Sequence, residues 1–434
     1  MLTAFTLRMF KSYRESRLPL GPLTVLIGAN AAGKSNALEG LRLLSWLAQG
    51  QRLSAIQYEV NRAHRVVRGR VDDLFFRLEP TLEIGCDTDD ADWNQLRMRL
   101  TLREGELHIA GEQISNASGG VRLYDLDQPA QGLGSDAGVA YNNFARGPNK
   151  PHITCNDQTA VFLQLTSPAS FSTQKAQQTI PAVAKNYERL LSSILFLDPA
   201  PAQMRDYSFA SERRLLGDGT NLSSVLHHLC SDPQNKADVL SFIQSLPEQD
   251  IQDIEFLTGP RGELMVQLVE TFGGHAMSYD ATLLSDGTLR VLAIAAAMLS
   301  AQEGSLVVIE EIDNGVHPSR ARHLLERIRA IAERRKLRVL LSTHNPAMLD
   351  ALPDPAVPDV VFCYRDATSG ASCLTRMQDI PDMPELLAQG SLGHLMTSGL
   401  LERFVKHHPG AEEKKRQALA WFDALQGDTG EARQ

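Results

Sequence analysis

The stretch VLIGANAAGKSN, residues 25 to 36, constrains the fold more than any other part of the chain. Residues 28 to 35 match G-x-x-x-x-G-K-[ST] at every fixed position, with the apolar run PLTVLIG before them and SNALEGLRLLSWLAQ, whose leucines have helical spacing, after them. Strand, glycine-rich loop and helix in this order predict backbone N–H groups that surround a phosphate at a helix N-terminus. A chance glycine-rich turn is the alternative, and the flanking strand and helix disfavour it.

This loop supplies most of the expected nucleotide-binding residues. Its glycines let the backbone wrap around phosphate, Lys34 reaches the outer phosphates, and Ser35 binds Mg²⁺. The pattern Asn-Lys-Ala-Asp at 235 to 238 imitates a guanine-reading motif, but it follows a polar loop instead of an apolar strand, so ATP is preferred to GTP. The expected set is Gly28, Asn30, Ala31, Ala32, Gly33, Lys34, Ser35 and Asn36.

The segment LVVIEEIDNGVHP offers the acidic groups that a phosphate site needs. Four apolar residues end in Glu310 and Glu311, at the carboxyl edge of a strand, where ligands of parallel sheets gather. We expect Glu310 to join Ser35 in holding Mg²⁺ and Glu311 to polarise the attacking water. Two solvated acids at a strand end are the alternative.

A third apolar strand, in VLLSTHNP, delivers His344 from its end. A lone histidine at such a position is often structural. Beside the two preceding motifs, it is expected to contact the terminal phosphate. The expected catalytic residues are therefore Lys34, Glu311 and His344.

The sequence LSDGTLR, residues 284 to 290, begins a further helix. Ser285 and the N–H of Gly287 at its start form an anion site with no local phosphate to bind. Here the chain resembles the ABC-type ATPases, whose signature begins Leu-Ser-x-Gly. The resemblance implies that Ser285 and Gly287 contact the γ-phosphate bound by an opposite protomer, and hence a homodimer that encloses two ATP molecules. The resemblance is also compatible with larger assemblies of such dimers.

Within that class the chain is most similar to the RecF-like, OLD-like group of ATPases, often classed as AAA proteins, over residues 1 to 365. Two departures concern Glu310, which replaces the aspartate of transporter ATPases, and Asp286, which replaces a glycine. Gln164 is a candidate for the lateral glutamine, the Q-loop glutamine of this class. The matching segments are FKSY, IGANAAGKSNALEGLRLL, MRDYS at 204 to 208, DGTNLSSVLHHL, LSDGTLR, IEEIDNGVHPSR and STHNPAMLD.

The order of the predicted elements indicates an α/β fold. Residues 96 to 126 have the pattern of an antiparallel meander, and the last third alternates strands and helices as a parallel sheet does. The expected fold is a P-loop NTPase of ABC-ATPase type, a mostly parallel sheet flanked by helices plus an antiparallel β subdomain, with a helical insertion. The expected units are residues 1–129, a mainly helical insertion at 130–275 that starts with a long loop, the second ATPase part at 276–370, and a helical tail at 371–434.

Composition limits where the chain acts and what it binds. A net charge of −9 argues against a surface that coats nucleic acid, although Arg62, Arg65 and Arg68, three residues apart, would present one helix face to DNA. A solvated face is the alternative. The 5 scattered cysteines include no Cys-x-x-Cys pair, which disfavours a zinc cluster and suits a reducing cytoplasm. No apolar run is long enough for a membrane span.

These features together predict an ATP-driven dimeric switch. OLD-family relatives carry a C-terminal nuclease domain that needs Asp-x-Asp, and no such pattern follows His344. The resemblance therefore implies a separately encoded effector, such as a nuclease, in anti-phage defence or in a DNA transaction such as repair. An ATP-sensing scaffold with negligible turnover and the motor of a membrane transporter are the alternatives.

Overall fold

The computed structural model describes residues 1–56, 66–118, 120–132, 134–147, 149–244, 250–273, 275–314, 316 and 318–407. Within these residues a six-stranded sheet has five neighbouring parallel strands and an antiparallel strand at one edge. In spatial order its strands are β10 (Leu195–Leu197), β15 (Leu306–Ile309), β16 (Arg338–Ser342), β3 (Leu23–Ile27), β17 (Val360–Arg365) and β18 (Ser372–Arg376).

An eight-stranded antiparallel sheet lies beside it, and the β4 to β9 part is a simple meander. In spatial order its strands are β2 (Tyr13–Pro19), β1 (Leu2–Phe10), β4 (Thr81–Thr88), β5 (Gln95–Arg103), β6 (Glu106–Ser115), β7 (Arg122–Gln128), β8 (Asp136–Tyr141) and β9 (His152–Asn156). A smaller antiparallel sheet contains β11 (Ser208–Phe209), β13 (Glu263–Phe272) and β12 (Ile251–Thr258), and β14 (His275–Asp280) pairs with β13.

The helices of the described residues connect and cover these sheets. They are α1 (Lys34–Ala48), α2 (Val161–Gln164), α3 (Gln174–Ser192), α4 (Pro201–Met204), α5 (Leu222–Cys230), α6 (Pro233–Ile243), α7 (Asp286–Ser300), α8 (Pro318–Arg334), α9 (Pro346–Asp350), α10 (Met383–Leu387), α11 (Leu392–Thr397) and α12 (Leu400–His407).

The parallel sheet separates two apolar cores because successive side chains of a strand point to opposite faces. On β15, Val307 and Ile309 join one core with residues of α5 to α8, while Leu306 and Val308 join the other with residues of α1, α3 and the antiparallel sheet. All four side chains are buried, as expected for a strand covered on both faces. The carboxyl ends of β3, β15 and β16 thus meet at one edge of a rigid sheet.

The segment 130–275 differs from the mainly helical insertion that we expected. β8 and β9 extend the antiparallel sheet through the region expected to be a long loop, and β10 joins the parallel sheet. Helix α3 ends at Ser192, so the apolar run at 195 to 197 is a strand and not the end of a helix. A run of three apolar residues has no periodicity that separates the two states.

The segment 371–434 also begins differently from the expected helical tail. Its residues Ser372–Arg376 form β18, which pairs with β17, and short α-helices follow from residue 383. Residues 408–434 lie outside the described part. No helix among the described residues is both long and apolar enough to span a bilayer.

Candidate functional site

The phosphate loop between β3 and α1 requires glycine at two positions. Gly28 and Gly33 have φ angles of 147° and 127°, in the region that L side chains rarely adopt. A Cβ at Gly28 would overlap the carbonyl of Cys363 on β17, and one at Gly33 would overlap the side chain of Ser372 on β18. Both the backbone angle and the close neighbours therefore exclude a larger residue.

Carbonyl groups of the loop are held by strands from other parts of the chain. The Ser372 hydroxyl donates to the Ala32 carbonyl at 2.6 Å, and Arg365 Nε donates to the Ala31 carbonyl at 3.1 Å. The Tyr13 hydroxyl donates to the Gly33 carbonyl at 3.1 Å. No side chain of the described residues caps the N-terminus of α1. Its first-turn N–H groups can therefore bind an anion.

Lys34 lies half-buried at the start of α1. Its Nζ donates to the carbonyls of Gly28 at 2.6 Å and Ala29 at 3.1 Å. Burial lowers the pKa of the Lys34 ammonium, against the opposing influence of acidic groups that include Glu311 and Asp313. An anion in the loop would give this ammonium a stronger acceptor than a carbonyl.

A cavity of about 340 Å³ brings residues of all three strand-end motifs together. Gly28 and Ala32, the other expected loop residues, do not line it within the described residues. Asn36 lines it while its side chain donates to Ser12 at 2.8 Å. The lining includes Asn30, Ala31, Gly33, Lys34, Ser35, Asn36, Glu310, Glu311 and His344.

Glu310 lies at the carboxyl end of β15 and is paired with Arg42 of α1 at 2.5 Å. Burial raises the pKa of the Glu310 carboxyl, while Arg42 lowers it. Oxygen ligands such as the Ser35 hydroxyl and the Glu310 carboxylate suit Mg²⁺, which usually takes few protein ligands and completes its shell with phosphate and water. The described residues hold no cluster of three or more acidic, histidine or cysteine side chains that could bind a metal alone. The donor set therefore fits a magnesium ion that arrives with nucleotide.

Glu311 has a φ of 48°, and this turn directs its side chain into the cavity edge as an exposed group. Its N–H donates to Ser342 Oγ at 3.0 Å, and its carboxylate accepts from Asn314 at 2.8 Å. The conformation is costly for a non-glycine residue, and such strain is typical of functional positions.

Asp313 is a residue of this edge that the sequence reasoning missed. Its buried carboxylate accepts from Thr343 Oγ1 at 2.6 Å and lies 3.7 Å from His344 Nδ1. It therefore links the loop after β15 to the end of β16 and can orient the imidazole. The available signal was its place two residues after Glu311 in IEEIDNG.

Arg68, expected on a helix face that contacts DNA, lines the same cavity as the phosphate loop. Residues 66 to 70 form bends and not a helix, and Arg62 and Arg65 lie outside the described residues. Glu39 of α1 binds both Arg68 and Lys11, the lysine of FKSY. This cluster places two cations beside the start of α1, which is a surrounding that favours phosphate.

The LSDG segment lies outside the cavity. Ser285 is the N-cap of α7, and its Oγ accepts from the N–H of Thr288 at 3.1 Å. Among the described lining residues, neither Ser285 nor Gly287 is found. The expected anion site at α7 is therefore not part of the cavity that the phosphate loop lines.

Gln164 does not have the position expected of a lateral glutamine. Its side-chain amide donates to the carbonyls of Asn156 at 2.8 Å and Thr159 at 2.9 Å, and its oxygen accepts from the N–H of Asn156. These bonds hold the loop before α2. Within the described residues, Gln164 is not part of the cavity lining.

The site combines a glycine loop after β3, acids after β15 and a histidine after β16. These groups lie on a parallel sheet beside an antiparallel one, and together they define a P-loop ATPase of the ABC type. The family model described as "AAA domain, putative AbiEii toxin, Type IV TA system" matches residues 23–95 and 141–350. The chain belongs to this family, and it is an ABC-like, RecF-like member of the AAA-type ATPases.

Individual relatives are distant. An "ATP/GTP phosphatase" of Helicobacter pylori (strain ATCC 700392 / 26695) is 21% identical over 84% of this chain and 90% of its own. The "DNA replication and repair protein RecF" of Trichodesmium erythraeum (strain IMS101) is 34% identical over 25% of each chain. Among solved structures, an SmcHead bound to the C-winged helix domain of ScpA is 13% identical, with a TM-score of 0.49 over 86% of this chain and 96% of that one.

Proposed function

We propose that this protein binds and hydrolyses ATP and acts as an ATP-dependent homodimeric switch. One observation carries the proposal. Residues of the phosphate loop, Glu311 and His344 line one cavity, while Ser285 and Gly287 at the start of α7 are not among its described lining residues. A second copy of the chain can supply that helix start to a triphosphate in the cavity.

In the proposed reaction, the N–H groups of the loop bind the phosphates and Lys34 moves from the carbonyls of Gly28 and Ala29 to the outer phosphates. Ser35 and Glu310 would hold Mg²⁺, and the bound ion would supply charge neutralisation for the phosphates. Glu311 accepts a proton from the water whose oxygen bonds to the γ-phosphorus, while the bond from that phosphorus to the oxygen of ADP breaks and ADP leaves. His344, beside Asp313, donates a hydrogen bond to the terminal phosphate.

The switch arises because the γ-phosphate is bound by groups of two protomers. ATP then stabilises the closed dimer, and ADP does not, since a ligand shifts an equilibrium only by its differential affinity for the two states. Hydrolysis reopens the dimer.

The biological setting that we propose is anti-phage defence or a DNA transaction, with a separately encoded effector such as a nuclease. The toxin–antitoxin description of the family supports the first setting, and the RecF relative supports the second. Contact of Arg62, Arg65 and Arg68 with DNA belongs to this proposal, as does action in the cytoplasm.

Glu311→Gln tests the proposed function. The variant keeps the size of the side chain but cannot accept a proton, so ATP turnover should fall at least about 100-fold. Light scattering with saturating ATP and Mg²⁺ should show a dimer that ADP does not produce. Glu303→Gln is the matched control, because Glu303 is an exposed glutamate whose ion pair with Lys336, at 3.5 Å, lies on the surface.

Two results would count against the proposal in different ways. Unchanged turnover in Glu311→Gln would remove this residue from catalysis. A monomer at saturating ATP would contradict the dimeric switch. Single-turnover hydrolysis by the unmodified protein, with and without DNA, separates an ATPase from a scaffold that only binds ATP.

A further inference from the structure

An ion pair lies at the N-terminus of α7. The Nη2 group of Arg205 donates to the Asp286 carboxylate at 2.6 Å and to the carbonyl of Leu284 at 3.0 Å. These two acceptors belong to the residues on either side of Ser285, the N-cap. The guanidinium of Arg205 is therefore fixed beside the expected anion site.

Packing in the core and the connection to β10 hold Arg205 in this place. It follows α4, whose last residue Met204 is fully buried and packs against Gly219, a residue with positive φ. Helix α4 follows β10, and the carbonyl of Leu197 in β10 accepts from the N–H of Glu310 at 3.1 Å. A short, well-packed connection thus joins Arg205 to the edge that carries Glu310.

The charge of Asp286 requires a counterpart if this helix start is to bind phosphate. A carboxylate in the first turn stabilises a helix, but it repels a second anion at the same place. Arg205 neutralises it. The guanidinium carries five N–H donors in a planar fork that suits phosphate, more than its two bonds here use.

The pair is exposed enough for its acceptor to be exchanged. The Asp286 side chain is 66% exposed and that of Arg205 is 29% exposed. Ion pairs at such surfaces contribute little to stability. Moving one hydrogen bond from the carboxylate to an incoming phosphate therefore costs little, and the more highly charged phosphate is the better acceptor.

We propose that Arg205 binds the γ-phosphate of ATP held by a second copy of this chain, beside Ser285 and Gly287. Asp286 holds the guanidinium in place until that phosphate arrives. This inference rests on the proposed dimeric function. It assigns the MRDYS segment to the half of the site that each protomer gives to its partner.

The test measures ATP-dependent dimerisation in the Glu311→Gln background by sedimentation, with ATP and Mg²⁺ as the probe. Adding Arg205→Ala should weaken the dimer at least about tenfold, because each dimer loses two charged hydrogen bonds to phosphate. The affinity of the monomer for ATP should stay unchanged, since Arg205 is outside the described cavity lining. Arg189→Ala, which removes an exposed arginine bonded to Asn186, is the matched control.

Further variants separate phosphate binding from charge neutralisation and from folding. Arg205→Lys keeps the charge and the fold but lacks the fork, and should give an intermediate loss. Adding Asp286→Asn to Arg205→Ala should restore the dimer only in part. Complete restoration would show that Arg205 merely neutralises Asp286 and would overturn the phosphate contact.

The remaining outcomes distinguish this inference from the function on which it rests. If Glu311→Gln dimerises with ATP and the added Arg205→Ala and Arg205→Lys changes make no difference, the inference is wrong and the dimeric switch stands. If Glu311→Gln stays monomeric with ATP, the proposed function fails and this inference fails with it.

Discussion

The hydroxyl of Ser372 donates to the carbonyl of Ala32, 340 positions earlier in the chain, at 2.6 Å. The same hydroxyl oxygen lies within hydrogen-bond distance of Ser12 Oγ at 2.8 Å, and Ser12 accepts from Asn36 at 2.8 Å. A strand that follows most of the catalytic motifs in sequence therefore holds the phosphate loop. These bonds fix the loop before nucleotide arrives, which reduces the ordering that nucleotide binding must impose.

Gly33→Ala should weaken ATP binding more than about tenfold, since the methyl group would overlap Ser372 and the φ of 127° would be strained. Calorimetric titration with ATP measures it. Gly50→Ala is the control for strain alone, because Gly50 has a φ of 83° and no atom within 4 Å of an added Cβ. Equal affinities in the two variants would show that the contact with Ser372 is unimportant.

Glu39→Gln should raise the KM for ATP about fivefold with little change in kcat. The buried carboxylate of Glu39 binds Lys11 and Arg68, and its loss frees the cation that lines the cavity. Steady-state kinetics over a range of ATP concentrations gives both constants. Asp72→Asn, which breaks the exposed pair of Asp72 with Arg70, is the control and should leave KM unchanged. An unaltered KM in Glu39→Gln would mean that Arg68 contributes nothing to binding.

Arg42→Met should lower the free energy of unfolding by about 1–2 kcal/mol, because it leaves the Glu310 carboxylate partly buried without its partner. Urea unfolding measures this change. The double variant Arg42→Met with Glu310→Gln should recover most of the loss, since no charge is then left unpaired. If the double variant is no more stable than Arg42→Met, packing of Arg42 on Phe196 is the larger contribution.

Glu112 should make stability depend on pH. This residue of β6 has a buried carboxyl, which accepts from Tyr124 at 2.6 Å and from the N–H groups of Val161 and Phe162 at 2.8 Å. Burial raises its pKa from 4.5 to about 7. Because the folded state binds this proton more tightly, its contribution is complete below pH 4.5 and is lost as the pH rises through about 7.

The measurement for Glu112 is the difference in unfolding free energy between the unmodified protein and Glu112→Gln across this pH window. As the pH rises, the unmodified protein should lose up to about 3 kcal/mol of unfolding free energy relative to Glu112→Gln. Glu104→Gln, at the exposed β5–β6 turn, is the control. Parallel pH profiles for the unmodified protein and Glu112→Gln would show that Glu112 does not titrate there.

The elements that local pattern specifies were predicted correctly. β3, α1, β15, α8, β16 and the meander of β5 to β7 have long apolar runs or clear periodicity, and the structure confirms them. β8, β10 and β18 were missed because their residues are few or weakly apolar, and their state is decided by the strands with which they pair. Tertiary context, not propensity, sets such strands.

The candidate site divides in the same way. Residues at strand ends could be brought together from sequence, because the carboxyl ends of parallel strands share an edge. Three contacts of the site could not be predicted from sequence, because each joins segments whose distance in space depends on the whole topology. They are Arg42 with Glu310, Asp313 with His344, and Arg205 with Asp286. The helix expected at Arg68 was wrong because charge spacing alone does not set the backbone conformation, and its contact with DNA stays a prediction.

The position of β3 between β16 and β17 has a consequence for biosynthesis. The strand at Leu23–Ile27 leaves the ribosome early, but both of its neighbours lie beyond residue 337. During translation its apolar side chains and unpaired edges must wait for most of the polypeptide, a state that invites aggregation or chaperone binding. Nucleotide can therefore be expected to act on the nascent protein only after β16 and β17 have been synthesised, as a late ligand that completes folding.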